Sequence, residues 1–204
     1  EEPEEFLRHF TRQMEVYSRE RDITFVEQTS LAVLRRTLRD YVQRPLDIDV
    51  LRRAINALYY ISEQHWKIEE DTLEMLQTLR VEGYRLGIIS NAADAQDVNV
   101  LIDRADLRSF FDQVVISADF GLRKPHPKIF RKALAYWQAL PAETVMVGDT
   151  LPADIPGAQK LNIPAVWITR RVNEHFCRKD FAHIEPDASI KTLADLPPLL
   201  QSWS

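Results

Sequence analysis

The chain has 204 residues, of which 45% are hydrophobic and 28% are charged, and its formal net charge is −5. These values are typical of an ordinary globular protein that has one domain with an insertion, or one domain and a small lid. Charges of both signs are interspersed, so the sequence has no basic face for nucleic acid and no apolar run long enough to cross a membrane. The single cysteine, Cys177, excludes a disulfide framework and favours a cytoplasmic protein; it lies in a charged stretch and is a poor candidate nucleophile.

Residues from about 5 to 65 carry apolar side chains at three- and four-residue steps, which is the spacing of amphipathic helices. The apolar stripes are Phe6, Phe10, Met14 and Tyr17, then Leu31, Leu34, Leu38 and Tyr41, and finally Leu51, Ile55 and Leu58. Such stripes predict the packed core of a helical bundle. Asp49 is the expected amino-terminal cap of the third helix.

From about residue 68 the pattern changes to short apolar runs that alternate with helical periods. Strands are predicted near residues 84–89, 113–117, 144–148 and 165–169, with helices near 94–104, 127–138 and 153–161. The tail predicts an edge strand within 186–190 and a closing helix within 193–203. The alternation predicts an α/β fold, in which a Rossmann-like parallel sheet has helices on both faces.

Two acids follow one of the predicted strands. The apolar run that ends in Gly148 leads directly to Asp149, and Asp154 comes five residues later. Ligands of parallel sheets bind beyond the carboxyl ends of the strands, and two neighbouring acids repel each other unless a cation or a basic side chain lies between them. Mg²⁺ is the usual cation in such a place. Asp149 and Asp154 are therefore either a Mg²⁺ site or a helix cap beside a solvated acid.

Two more strand ends carry polar residues. One predicted strand ends at Ser90 and is followed by Asn91, and the strand after it leads through Gly121 to Lys124. Taken singly, Ser90 is also suited to capping a helix, and Lys124 to an exposed surface. Together, a hydrogen-bond donor, a lysine and a Mg²⁺ site at one edge of a sheet are what a transferring phosphoryl group requires.

This ordered set of motifs resembles the haloacid dehalogenase-like hydrolase superfamily, most of whose members are Mg²⁺-dependent phosphatases. The resemblance runs from about residue 5 to the end of the chain. It implies that Ser90 hydrogen-bonds the transferring phosphoryl group with the Asn91 backbone nearby, and that Lys124 neutralises the nucleophile and the phosphate. It also implies that Asp149 ligates Mg²⁺ and that Asp154 supports the metal site or Lys124. The predicted catalytic residues are Ser90, Lys124, Asp149 and Asp154; the predicted phosphate-binding residues are Ser90, Asn91 and Lys124; and the predicted metal site is Asp149 with Asp154.

The first motif of that family is not found in the sequence. It is an apolar strand that ends in Asp-x-Asp, where the first Asp is the nucleophile and the second the general acid/base. The only candidate, Asp47-Ile-Asp49, follows no apolar run. The resemblance places this strand between the strands that end at Ser90 and Gly148, so we expect residues 1–204 to be inactive unless the strand is supplied. It also implies a helical cap at residues 1–66 and a Rossmann-like core at residues 67–204.

The function implied by the resemblance is hydrolysis of a small phosphate ester through an aspartyl-phosphate intermediate. One alternative is a binding protein that has lost its nucleophile, but the retention of all four motif residues argues against it. Another is a metal-independent 2-haloacid dehalogenase, which would lack the Gly148-Asp149 metal motif. We expect a small phosphorylated substrate and neither a nucleic-acid nor a membrane partner, and we expect Lys124 to stabilise charge rather than the fold. The substrate and the oligomeric state stay open.

Overall fold

The structure is a computed structural model that describes residues 3–41, 46–171, 181 and 183–203, so Cys177 lies outside the described residues. The chain divides into two compact units. The helical unit comprises Glu1–Lys67, Ser90–Ala105 and Ile116–Arg123, and the sheet unit comprises Ile68–Ile89, Asp106–Val115 and Lys124–Ser204. Because the helical unit includes two later segments, the boundary between residues 66 and 67 stays a prediction.

The elements of the described residues alternate much as the sequence predicts. In chain order they are α1 (Pro3–Thr24), α2 (Ser30–Tyr41), α3 (Ile48–Glu63), α4 (Thr72–Val81), β1 (Gly87–Ser90), α5 (Ala95–Arg104), β2 (Gln113–Ile116), α6 (Ser117–Phe120), α7 (Pro127–Trp137), β3 (Met146–Gly148), α8 (Leu151–Gln159), β4 (Ala165–Ile168), β5 (Ala188–Ile190) and α9 (Leu196–Trp203). None of the helices in the described part of the chain has the length and apolar character needed to cross a membrane.

The strands belong to two sheets. One contains β1 and β2, and the other contains β3, β4 and β5 in that order. In the second sheet the neighbouring strands run parallel, and Gly148 at the end of β3 lies opposite Trp167 of β4. Helices flank these parallel strands, which confirms the predicted α/β fold class. The predicted strand between those that end at Ser90 and Gly148 stays a prediction.

The start of α3 corrects one expectation. The cap is Asp47, whose side chain accepts the backbone N–H of Asp49, so Asp49 is already inside the first turn. Asp47 has the extended backbone that a capping residue requires, with φ −71° and ψ 122°. The apolar stripe begins only at Leu51, one turn into the helix, so periodicity alone placed the start of the helix too late.

The predicted apolar stripes of the helical unit are only partly buried. Tyr17, Leu51 and Ile55 lie in the core as expected, whereas Leu58 is 57% exposed. In α2 the fully buried residues are Val33 and Thr37 instead of the predicted leucines. Thr37 can be buried because its hydroxyl donates to the Val33 carbonyl at 2.9 Å, which satisfies the polar group within its own helix.

Glycine and proline mark helix ends in the sheet unit. Gly83 follows α4 with a φ of +88°, the left-handed conformation that favours glycine after the end of a helix. Pro127 is the first residue of α7, and Pro152 lies in the first turn of α8. Both prolines lack an N–H at positions where a helix has no acceptor for it. The first turn of α8 therefore begins directly behind β3, which places Asp149 and Asp154 close to the same strand end.

Candidate active site

A buried ion pair lies at the centre of the predicted site. Nζ of Lys124 is 2.7 Å from Oδ1 of Asp154, and the two side chains are 12% and 2% exposed. The other oxygen of Asp154, Oδ2, accepts the backbone N–H of Thr150 at 2.9 Å. Both oxygens of Asp154 are thus engaged by the protein. The expectation that Lys124 has no part in the fold is incomplete, because the lysine neutralises a buried carboxylate.

Gly148 makes room for this carboxylate. A Cβ atom at Gly148 would lie 2.1 Å from Oδ2 of Asp154 and 2.6 Å from its Cβ, well inside van der Waals contact. The glycine therefore allows the first turn of α8 to lie against the end of β3. The close approach that requires a glycine here is thus to the side chain of Asp154.

The Lys124 segment is held in place from both sides. A Cβ atom at Gly157 would lie 2.6 Å from the Pro125 carbonyl and 2.4 Å from Phe130, so only glycine lets α8 pack against this segment. On the other side, Nδ1 of His126 accepts the N–H of Lys128 and caps α7. Burial and the nearby cationic side chains lower the pKa of His126, which favours the neutral imidazole that can act as this acceptor.

Asp149 differs from Asp154 in both exposure and partners. It is exposed to solvent, and its Oδ1 accepts a long hydrogen bond, 3.3 Å, from the Thr150 hydroxyl. Its backbone is fixed, because the indole N–H of Trp167 donates to the Asp149 carbonyl at 3.1 Å. An exposed carboxylate on a fixed backbone is suited to binding a cation or a polar ligand.

Of the two acids predicted to bind magnesium, only one has the environment of a metal ligand. Mg²⁺ binds oxygen ligands and often takes only one or two carboxylates, with waters and substrate phosphate completing its shell. Asp149 fits such a ligand, whereas Asp154 has already committed both oxygens to Lys124 and Thr150. Within residues 3–41, 46–171, 181 and 183–203, the structure contains no group of three or more His, Cys, Asp or Glu side chains that could hold a metal without such additional ligands.

Ser90 and Asn91 begin the loop that joins β1 to α5 in the helical unit. Hydrogen bonds fix the rest of this loop. Ala92 donates its N–H to the Ser117 hydroxyl at 2.9 Å and accepts the Ala118 N–H on its carbonyl at 3.1 Å, and the Ala93 carbonyl accepts the backbone N–H of Ser30 at 2.8 Å. Asp94 then caps α5, so Ser90 itself is not the helix cap. The polar end of β1 remains a candidate phosphate-binding loop.

The structure thus brings only some of the predicted site residues together. Lys124 and Asp154 are in contact, and Asp149 lies at the end of β3 in the same unit. Ser90 and Asn91 belong to the helical unit. The convergence of all five residues on one substrate stays a prediction.

The profile of the haloacid dehalogenase-like hydrolase family matches residues 4–168, a range that includes every predicted site residue. The chain belongs to this family. The glyceraldehyde 3-phosphate phosphatase of Pyrococcus furiosus is 33% identical over 171 residues, which are 79% of this chain and 67% of that protein. Across the first relatives of this kind, the chain spans between 53% and 67% of their length.

Solved structures of the family show the same fold. A phosphatase from Thermococcus onnurineus is 29% identical, with a TM-score of 0.59 over 78% of this chain and 66% of that one. A 2-haloacid dehalogenase from Pseudomonas syringae is 24% identical, with a TM-score of 0.67 over 94% of this chain and 80% of that one. The second likeness supports the fold alone.

Two residues that contact the candidate site segments were not predicted as site residues. Ser117 was assigned to the end of a strand, but it is the first residue of α6, and its hydroxyl holds Ala92. Glu27 carried no motif signal, yet it is 6% exposed and accepts a hydrogen bond from Ser117. Neither role can be found from spacing, because these contacts join residues that are 25 and 90 positions apart.

A second group of acids lies between α3 and α5 in the helical unit. Asp94, Asp97 and Glu63 line a cavity of about 190 Å³ together with Tyr59 and Tyr60. Burial, followed by the charge of Glu63, raises the pKa of Asp97 to about 6. This group shares no residue with the predicted phosphate-binding set. Asp94 and Glu63 pair with Arg52 and Arg104, whereas the charges that act on the pKa of Asp97 are those of its acidic neighbours.

Proposed function

We propose that the protein is a Mg²⁺-dependent phosphatase that hydrolyses a small phosphate ester through an aspartyl-phosphate intermediate. The observation that carries the proposal is the arrangement around β3: a buried lysine is held by Asp154, and the exposed Asp149 directly follows the strand, five residues before Asp154 in the chain. The similarity to glyceraldehyde 3-phosphate phosphatase supports the same reaction class, although that substrate is known here only as the relative's own.

Lys124 serves to hold positive charge where the phosphoryl group is transferred. Because Asp154 fixes its ammonium group from one side, the lysine side chain does not have to be ordered when the substrate arrives. A lysine acts on phosphate as a point charge, so its position matters more than its orientation. Asp154 is, in this proposal, a residue that positions Lys124 and stays outside the direct ligand shell of the metal.

The remaining roles follow from exposure and chemistry. Asp149 supplies a carboxylate ligand for Mg²⁺, which when bound would neutralise charge on the phosphoryl oxygens. Ser90 and the Asn91 backbone supply hydrogen bonds to the same oxygens from the loop after β1. The nucleophilic aspartate of this route is not among the motifs of residues 1–204, so activity is to be measured on the full-length protein.

The division of labour within the chain is part of the proposal. Residues 1–66 would form a helical cap that selects the substrate, and residues 67–204 would form the core that carries Lys124, Asp149 and Asp154. We place the reaction in the cytoplasm. The metal-independent dehalogenase alternative is not favoured, because Asp149 follows Gly148 at the position where the phosphatase motif requires it.

The proposal is tested by replacing Asp149. We expect Asp149→Ala to lower Mg²⁺-dependent hydrolysis of p-nitrophenyl phosphate by about a hundredfold or more, which is about 2.7 kcal/mol of transition-state stabilisation. Because Asp149 is exposed, the free energy of unfolding should change by less than about 0.5 kcal/mol. Mg²⁺ binding, followed by titration calorimetry, should weaken in parallel.

Asp49→Ala is the matched control. Asp49 is also an exposed aspartate, and it belongs to the only Asp-x-Asp in the sequence, Asp47-Ile48-Asp49. This variant should keep full activity and metal binding. Unchanged hydrolysis in Asp149→Ala, or equal losses in the two variants, would show that Asp149 has no specific role.

A further inference from the structure

Glu27 lies at the centre of a buried polar cluster within the helical unit. Its Oε1 accepts a hydrogen bond from the Tyr17 hydroxyl at 2.6 Å, and its Oε2 accepts one from the Ser117 hydroxyl at 2.7 Å. The Arg123 guanidinium lies 3.4 Å from the same Oε2, and the Glu27 side chain is only 1% exposed. We call Tyr17, Glu27, Ser117 and Arg123 the Glu27 cluster. Burial and the adjacent Glu27 raise the pKa of Tyr17, so its phenol remains a hydrogen-bond donor.

The cluster reaches the candidate phosphate-binding loop through Ser117. The Ser117 hydroxyl is fully buried, and it lies close to the Ala92 carbonyl, at 3.1 Å, as well as to the Ala92 N–H. A hydroxyl has one hydrogen to donate, and the Glu27 carboxylate is the stronger acceptor for it. Glu27 thus orients the hydroxyl so that an oxygen lone pair faces the Ala92 N–H. Ala92 directly follows Asn91.

The same carboxylate also holds the chain next to Lys124. Arg123 precedes Lys124 in sequence and pairs with Glu27 through its side chain. Its backbone N–H donates to the Phe25 carbonyl at 2.9 Å, and the Glu27 N–H donates to the Gly121 carbonyl at 3.0 Å. One glutamate in the connection between α1 and α2 therefore anchors both segments that carry the predicted phosphate contacts.

We propose that Glu27 and Ser117 are positioning residues that hold the loop after Ser90 in the conformation that binds a phosphoryl group. The inference rests on the proposed phosphatase function and assigns to the α1–α2 connection a role that its sequence does not show. If the cluster served stability alone, removing any one of its hydrogen bonds would lower the stability of the protein, and phosphate binding would weaken in proportion. If the cluster positions the loop, phosphate binding weakens when the hydrogen bond that leads to the loop is removed, and not when another bond of the cluster is removed.

Two variants separate these outcomes in the full-length protein. Ser117→Ala and Tyr17→Phe each remove one buried hydroxyl, and each removes one hydrogen bond to Glu27, but only Ser117 contacts Ala92. We expect Ser117→Ala to raise the inhibition constant of inorganic phosphate by about tenfold, because a smaller fraction of the protein has the binding-competent loop. Tyr17→Phe should change it by less than about twofold. Glu27→Gln should act in the same direction as Ser117→Ala, because an amide offers one acceptor oxygen to three donors.

Hydrogen exchange of the Ala92 amide provides a readout that does not depend on activity. It should accelerate by about tenfold in Ser117→Ala and remain unchanged in Tyr17→Phe. The proposal is overturned if Ala92 exchange is unaffected in Ser117→Ala, or if both variants weaken phosphate inhibition equally and in proportion to their loss of melting temperature. If the wild-type protein does not hydrolyse phosphate esters or bind phosphate, the proposed function and the phosphate-binding role of the loop both fail. The exchange rates then still decide whether Ser117 anchors the loop.

Discussion

Both units of the protein contain carboxylates that are shielded from solvent, but the groups that surround these carboxylates differ. In the sheet unit, Asp154 has a lysine on one oxygen and a backbone N–H on the other. In the helical unit, Asp97 has one oxygen, Oδ1, that is buried without a hydrogen-bond donor among the described residues, and the neighbouring Glu63 and Asp94 are acids. Arg52 pairs with Asp94 at 2.7 Å and Arg104 pairs with Glu63 at 3.4 Å, so these two arginines neutralise the neighbours and not Asp97.

The contrast shows that the partner, more than the burial, decides what a carboxylate can do. Asp154 is almost fully buried and acts as a fixed counter-charge for Lys124. Asp97 is less buried as a residue, yet burial without a neutralising partner, followed by the charges of Glu63 and Asp94, raises its pKa to about 6. Its contact with Glu63 becomes a hydrogen bond only when one of the two acids holds a proton. The first arrangement keeps a charge in place for chemistry, and the second makes the charge depend on pH.

The largest expected effect comes from removing the cation of the first arrangement. Lys124→Met should lower kcat/KM by about a hundredfold or more, since the charge near the phosphoryl group is lost. It should also lower the free energy of unfolding by about 3–5 kcal/mol, because Asp154 is left buried without its partner. Urea unfolding and steady-state kinetics measure the two losses separately.

A double variant distinguishes charge from packing at this pair. Lys124→Met with Asp154→Asn leaves no buried charge, and the amide oxygen of Asn can still accept the Thr150 N–H. We expect most of the stability to return while activity remains low. If Lys124→Met alone unfolds with the wild-type free energy, the ion pair has no role in the fold and Lys124 serves charge stabilisation only.

The next largest effect is expected from filling the space between Gly148 and the Asp154 side chain. Gly148→Ala places a methyl group 2.1 Å from Asp154 Oδ2, so either the carboxylate or the first turn of α8 must move. Overpacking of this kind costs about 1–3 kcal/mol, and here it also pulls Asp154 away from Lys124. Thermal unfolding should show a lower Tm together with lower activity. A variant with wild-type Tm and activity would mean that Asp154 does not need its position beside β3.

The two units also differ in how far the sequence predicted them. In the sheet unit, short apolar runs and helical periods predicted the strands and the helices α7, α8 and α9 to within a few residues, because local chemistry decides those boundaries. In the helical unit, spacing identified the helices but not their buried faces. Nothing local distinguishes Val33 and Thr37 from the neighbouring leucines, since the packing partner decides which row of a helix is covered.

The site shows the same division between local and long-range information. Ser90, Lys124, Asp149 and Asp154 were identified because they follow strand ends in a fixed order. The commitment of Asp154 to Lys124 rather than to a metal was left open, because it depends on the distance between residues 30 positions apart in the sequence. The Glu27 cluster was missed altogether, since its members come from four separate parts of the chain.

The smallest expected effect comes from Asp97, which lies among acids in the helical unit. Its pKa is raised in the folded protein, so between about pH 4 and pH 6 the folded state holds a proton that the unfolded chain has released. The free energy of unfolding therefore falls as the pH rises through this window, and the loss is complete above the folded pKa. Asp97→Asn removes the titrating group. It should raise the free energy of unfolding by about 1 kcal/mol near pH 7.5, a value reduced from the full pKa shift because Asp97 is partly exposed to solvent.

Near pH 4 the same variant should gain nothing, because the wild-type carboxyl group is then protonated in the folded state and needs no replacement. Urea unfolding of both proteins at the two pH values gives the difference directly, and Asp49→Asn, an exposed acid outside this group, should show no pH-dependent gain. An equal gain for Asp97→Asn at both pH values would mean that the effect comes from packing and not from charge. If Asp97→Asn instead lowers the free energy of unfolding near pH 7.5, the folded protein stabilises the ionised Asp97. The proposed contrast between Asp154 and Asp97 would then be wrong.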